Sequence, residues 1–531
     1  MKINLLKIFG VFLLVFLCKS CKEKETSTAE IIPEYVLKIS QTKNTNAPAL
    51  QSFTHAESLN GEEWLLFAGR TNSLDSLNGG IHNLNGNYAG SSFTKSSYND
   101  VIYVYNPIND EISGSLTLTD FISVIENKYN TIRDGVPAQS NPLYQLLQTV
   151  KENSTIFKNS NALVKQEGNY LYTLGGYGPE DFTDLTKGFT TYNHVAKINV
   201  SNLIKLVKEK KLSENEWTDL LKVGKNNTLI STGGELYIFD DVLYLSLGHS
   251  FGNSAPKFSE GQKYLNAVYP FTVSNNKENI STLNIEVKNP ISDISNPTSK
   301  ASDTISVFRR RDGPILPSLY KNPTNNSIEK SIAIYTGVFK PGHPLKAWND
   351  AIYVHPNYTN DNNKLYTYDA TYNQKNFNVY SCPSVVLFDT NSNYLHSFLI
   401  GGIGDGKGAP KGHLSGFTNS SVQISMDINS LPLKSTPKTL NYNIFKDQDE
   451  NSAPFYGAEA IMFPNREITY SKYSDEIIDV AKSFSSDKKT INVGFIFGGI
   501  EAFESNPGTY GENKSQASNK IWKVEITKNS I

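Results

Sequence analysis

The chain has 531 residues, 50 Lys and Arg against 52 Asp and Glu, a formal charge of −2, and 19% charged residues. This near-neutral balance excludes the basic surface that nucleic-acid binding requires, and the length is ample for a core that needs no covalent staples. Only Cys382 lies beyond the first 21 residues, so the body of the chain has no internal disulfide.

The first element is an apolar run, 8–17, behind Lys2 and Lys7. It is about half the length of a membrane-spanning helix and reads as a secretory signal peptide. The run exits through Leu17-Cys18-Lys19-Ser20-Cys21, and a small residue directly before a cysteine is what lipoprotein processing demands. The expectation is a signal peptide over 1–20, acylation at Cys21, a polar tether over 21–33 and one domain over 34–531. The protein would then sit on the outer membrane of a bacterial envelope, as a monomer that touches lipid only through its anchor.

From residue 34 onward the dominant feature is repetition, which takes priority in a chain of this length. Six short apolar runs, 64–69, 170–176, 243–248, 332–337, 398–402 and 494–499, close on Gly69, Gly176, Gly248, Gly337, Gly402 and Gly499. Each is too short for a helix and rich in β-branched and aromatic residues, and so reads as a buried strand. Each is followed by a polar loop and another strand: 101–105, 194–200, 266–273, 351–355, 421–426 and 521–526. Two of these copy one another, Asn99-Asp100-Val101-Ile102-Tyr103-Val104 and Asn349-Asp350-Ala351-Ile352-Tyr353-Val354. A further strand precedes the glycine-ended one, as at 161–164, 384–388 and 457–462.

This unit resembles the Kelch repeat over nearly all of the chain after the tether. Three of the six runs carry the full Gly-Gly pair and most lack the later Trp. The resemblance implies an all-β fold, a six-bladed Kelch-like β-propeller whose four-stranded blades bury both faces against their neighbours. The last unit stops at 521–526, and the isolated strand 34–39 is positioned to complete it, which removes an exposed sheet edge. Helical spacing at 120–129, 142–151, 203–211 and 475–484 predicts short helical insertions.

In such blades the loops leaving the Gly-Gly strands share a face with the entrances to the inner strands. Those exit loops are long, whereas turns on the other face, such as 60–63 and 167–169, are short, so the long-loop face is the expected place for binding. His55, Asn161, Arg310, Arg311, Asp312, Tyr380 and Tyr456 stand at the entrances, and Arg70 and His249 begin two exit loops. Converging on the axis, these groups suit a sugar or a small anionic ligand.

Other motifs dissolve on inspection. Residues 401–408 nearly spell a phosphate-binding loop, but Gly408 stands where a magnesium-binding hydroxyl is needed and Pro410 discourages the required helix. Residues 447–452 resemble the start of a calcium loop, but Ser452 replaces the turn glycine. Cys382 reads as a small buried residue, and no cofactor is expected. Two functions remain. One is a binding module for a glycan, peptide or partner protein. The other, implied by resemblance to Kelch-like sialic-acid mutarotases, is a carbohydrate isomerase using His55 and Asp312, with Arg310 or Arg311 holding a carboxylate.

Overall fold

Each glycine-ended run is the second strand of a four-stranded antiparallel sheet, and six such sheets form a ring. The structure, a computed structural model, describes residues 34–74, 95–132, 138–183, 188–252, 262–295, 297, 306–341, 347–360, 362–374, 380–404, 416–446, 454–505 and 514–529. The leader, Cys21 and the tether lie outside these residues, as do much of the exit loops and all of 447–452.

From inner to outer strand, blade 1 is Thr54–Glu57, Trp64–Phe67, Val101–Asn106 and Glu111–Thr117. Blade 2 is Leu163–Glu167, Tyr170–Leu174, His194–Asn199 and Leu221–Lys225, and blade 3 is Glu235–Phe239, Val242–Ser246, Val268–Asn275 and Leu283–Val287. Blade 4 is Ile315–Lys321, Ile328–Tyr335, Ala351–Val354 and Tyr366–Asp369, and blade 5 is Ser384–Asp389, Tyr394–Ile400, Ser421–Asp427 and Ser435–Asn441. Blade 6 is Ile461–Pro464, Thr490–Phe497 and Ile521–Lys528, and its outer strand is the N-terminal Tyr35–Gln41.

That N-terminal strand closes the ring as expected. It runs antiparallel to Ile521–Lys528, from Tyr35 opposite Lys528 to Gln41 opposite Trp522. Its alternation supports the role: Tyr35, Leu37 and Ile39 are buried, while Val36 and Lys38 face out. Tyr35 packs edge-on against Phe398 of blade 5.

The core lies between neighbouring blades. Trp64 of blade 1 stacks on Phe463 of blade 6 with ring centroids 4.0 Å apart, and the Tyr237 hydroxyl of blade 3 donates to the Ile315 carbonyl of blade 4 at 2.6 Å. At the strand exits all six blades place two successive residues in the left-handed region: Ala68-Gly69, Gly175-Gly176, Leu247-Gly248, Thr336-Gly337, Gly401-Gly402 and Gly498-Gly499. The turn is therefore conserved in shape where the first glycine is missing, and Ala68, Leu247 and Thr336 adopt it against their own steric preference. The second residue cannot give way. A Cβ on Gly69 would lie 2.7 Å from the Gln51 carbonyl oxygen. This glycine also links blades: Gly69 N–H donates to Asn159 at 2.6 Å, Gly402 to Tyr456 at 2.9 Å and Gly499 to Leu50 at 2.9 Å.

Three of the four expected helical insertions are helices: Leu118–Ile132, Pro142–Glu152 and Val200–Glu209. Asn141 caps the second by accepting from the Leu143 and Tyr144 amides. Phe121, Ile125, Leu146 and Val150 from the first two join one core with Ile102 of blade 1 and Ala196 of blade 2.

The fourth expectation is corrected. Residues 475–484 fold as a strand, Ser474–Asp479, with a single helical turn, Val480–Ser483. The adjacent Ile477 and Ile478 belong to two different cores, one with Tyr320 and Leu399 and one with Phe445 and Val524. Neighbours pointing to opposite sides require the period of a strand, not of a helix. This strand lies parallel to the inner strand of blade 5, with Val386 opposite Ile477 and Phe388 opposite Asp479. With Tyr470–Ser471 it makes a hairpin inserted between the first two strands of blade 6.

Candidate functional site

The inner strands of all six blades surround an axial cavity of about 330 Å³. The hairpin forms its floor, contributing Tyr470, Asp475, Glu476 and Ile478 to the wall. The floor is well anchored: Ile477 and Ile478 are fully buried, and Glu476 pairs with Lys165 from the inner strand of blade 2.

At the mouth, just before the inner strands, Ser52, Asn161, Gly233, Asp312 and Glu459 all have positive φ and all line the cavity. Four of them carry side chains that pay a steric penalty for this backbone, and such residues concentrate at functional sites. The ring is knitted by main-chain bonds: Asn161 N–H to Ser52 at 3.0 Å, Asp312 to Gly233 at 2.9 Å and Ser381 to Asp312 at 2.7 Å.

Glu459 is the hub. Its Oε2 accepts from Asn161 Nδ2 at 3.1 Å and from Ser52 Oγ at 3.2 Å. The Tyr380 hydroxyl is near both Glu459 and Asp312 and favours the charged form of each. Burial, reinforced by the Asp312 charge, pushes the Glu459 carboxyl up to about 7, against the pull of Ser52 and Tyr380. Burial likewise raises Asp312, against Arg311 and Tyr380. Arg311 Nε lies 3.3 Å from Asp312 Oδ2, and its Nη1 donates to His249 Nε2 at 3.0 Å. Burial, and then the Arg311 charge, keep His249 neutral far below the usual histidine range. Arg70 is buried and bridges Gln51 and Tyr98 through its backbone, and its charge reaches Glu459.

The structure therefore brings Asn161, Asp312, Tyr380, Arg311, His249 and Arg70 together around Glu459. His55 also lines the cavity, between Phe53 and Phe463, and burial holds it down to about 4. A ring that neutral is a poor acceptor of a full positive charge.

Two expected residues lie elsewhere. Arg310 is wholly buried, with Nη1 2.7 Å from both Asp350 Oδ1 and the Thr336 carbonyl, and its guanidinium over the Trp348 ring at 4.5 Å. It holds the strained exit of blade 4. Tyr456 donates to Glu501 Oε1 at 2.6 Å and packs on Phe445 and Trp522. Cys382 does line the cavity, but burial raises its thiol to about 12, leaving it protonated and unreactive.

The sequence places Tyr456 at the entrance to blade 6, whereas Glu459 occupies that position in the structure. Counting two residues back from the inner strand, as Asn161 stands in blade 2, would have found it. Glu57, Lys165, Glu235 and Arg466 also line the wall and carry no motif; the inward positions of the inner strands mark the first three, and Arg466 lies just beyond the inner strand of blade 6. Acids outnumber cations in this wall, so an anionic ligand on the axis would meet repulsion without the help of Arg310.

No family model matches this chain, and no curated protein matches it. A solved structure described as "Structure of YjhT" is similar at 12% identity and a TM-score of 0.36, covering 73% of this chain and 84% of that chain, a likeness that carries no argument about the site.

Proposed function

We propose that this chain is a Kelch-type propeller, exported and lipid-anchored to the bacterial outer membrane through Cys21, that binds a small polar ligand such as the end of a glycan. The ligand enters from the Gly-Gly face and occupies the axial pocket. The observation that carries the reading is the axial cavity itself: about 330 Å³, walled by the six inner strands and rimmed by Ser52, Asn161, Asp312 and Glu459. Its size is that of a small-molecule site, with several convergent polar groups. A saccharide panel screened by thermal shift and calorimetry tests it. Binding that is weakened at least about tenfold by Asn161→Ala supports the pocket, and binding indifferent to Asn161 and Glu459 moves the site to the outer loops, where a peptide or partner protein becomes the better reading.

One observation favours a second reading, a carbohydrate isomerase. The Tyr380 hydroxyl is near two carboxyls, and burial pushes Glu459 up to about 7, where one group can give and accept a proton at neutral pH. Exchange spectroscopy on reducing sugars tests it: acceleration of anomer interconversion that disappears in Glu459→Gln supports catalysis, and an unchanged rate removes it.

A further inference from the structure

The cavity wall is unbalanced in charge. Glu57, Glu235, Asp312, Glu459, Asp475 and Glu476 face Lys165 and Arg466. Three acids have a cation beside them: Glu476 has Lys165, Glu57 has Arg466 at 2.8 Å and Asp312 has Arg311 at 3.3 Å. Glu235, Glu459 and Asp475 have no ion pair among the described residues, and of these Asp475 is exposed whereas Glu235 and Glu459 are not. Glu235 begins the inner strand of blade 3 and Glu459 stands two residues before that of blade 6, and these blades are opposite one another across a six-bladed ring. Independently, Glu57 is only 4% exposed, and its Oε1 has no hydrogen-bond partner among the described residues. An unpartnered buried carboxylate oxygen in a cavity wall is an acceptor without its donor.

We propose that the ligand of this pocket carries an ammonium group seated between Glu235 and Glu459, and that an amino sugar is the matching class. This rests on the small-ligand reading above and narrows it. A cation placed there supplies the missing counter-charge to two facing carboxylates in a site of low dielectric, where such pairing is much stronger than in water. A neutral sugar of the same shape offers only hydrogen bonds.

Proton linkage follows from the same geometry. The charged groups acting on Glu235 come from every side: Lys165 of blade 2, Asp312 of blade 4, Glu459 of blade 6 and Glu476 of the floor. Burial first, and then the three acids against Lys165, push Glu235 up to about 8. At pH 7 both Glu235 and Glu459 therefore hold protons part of the time, and an arriving ammonium group expels them. The sites exchange a proton for a cation, so binding releases protons to the buffer.

The test compares glucosamine with glucose and N-acetylglucosamine at pH 7.0, by calorimetry on the purified chain in phosphate and in HEPES. The expected result is glucosamine binding at least about tenfold tighter than either neutral sugar, with proton release seen as a buffer-dependent enthalpy. Glu235→Gln and Glu459→Gln should each shrink that preference severalfold while neutral-sugar binding changes less. If all three sugars bind equally, or a neutral one binds tighter, the ammonium is wrong and the saccharide pocket stands. If none binds, both readings fall. A glucosamine preference that survives in both Gln variants overturns this placement of the cation. Should either variant fail to fold, the wild-type comparison and its proton release decide alone.

Discussion

Asn161 Nδ2 donates to Glu459 Oε2 at 3.1 Å, a bond between blades 2 and 6 that spans blade 1 at the mouth of the channel. It ties together two residues whose backbones are both left-handed, so the rim is held by side chains as well as by the main-chain ring. The carboxylate that accepts this bond is also one whose ionisation the fold opposes.

The first prediction concerns that cost. The Glu459 carboxyl stands at about 7 in the fold and near 4.3 in an unfolded chain. The folded state therefore binds the extra proton between these values, and the penalty for ionising it is complete only above the folded value. Glu459→Gln should stabilise the protein at pH 8.5 by on the order of 1–3 kcal/mol and change little at pH 4.5. Thermal melts at the two pH values check this, and an equal effect at both would contradict it.

The second prediction separates the two neighbouring arginines. Arg310 is fully buried on Asp350 and Thr336, so Arg310→Ala strands a buried carboxylate and should cost about 3–5 kcal/mol. Arg311 is partly exposed beside Asp312 and His249, and Arg311→Ala should lower the melting temperature much less. Urea denaturation of both variants measures the difference.

The third prediction is acid sensitivity. Burial, with the Lys225 charge, holds His194 down to about 3, and its Nε2 has no hydrogen-bond partner among the described residues. A histidine depressed in the fold stabilises fully above about 6.5 and loses that contribution as pH falls toward the folded value. His194→Phe should therefore gain on the wild type as pH drops from 6.5 to 4, by on the order of 2–3 kcal/mol at pH 4. Parallel stability curves over that range would contradict it.

The fourth prediction tests ring closure. Removing 34–41 uncovers the edge of Ile521–Lys528 and deletes Tyr35, Leu37 and Ile39 from the core, each worth roughly 1.5–3 kcal/mol. That deletion should lower stability severely and promote self-association through the open edge. Removing 22–30, within the proposed tether of 21–33, should leave the melting temperature unchanged. Scanning calorimetry and light scattering compare the two.

The legibility of this protein followed local signals. Gly69, Gly248 and Gly337 mark strand exits even without a preceding glycine, because the second position is in steric contact with the entrance to its own blade's inner strand, where a side chain would collide. The strand at 35–41 was readable from its alternation and from the missing partner of 521–528. The hairpin at 470–479 was not, since Ile477 and Ile478 also satisfy a helical spacing and only their two separate cores distinguish the alternatives. The site was half legible. Asn161, Asp312 and Tyr380 stand where the entrance rule placed them, whereas Arg310 differs from Arg311 only in which way its side chain leaves the backbone. Glu235 and Lys165 matter because blades 2, 3 and 6 meet at one axis, a relation that no local window contains.

A crystal structure grown with the tightest-binding member of the saccharide panel tests the central claim most directly. The account predicts ligand density on the propeller axis, with polar atoms within about 3 Å of Glu459 and Asn161. Density confined to the outer loops, over an axial pocket that remains without ligand, would contradict it.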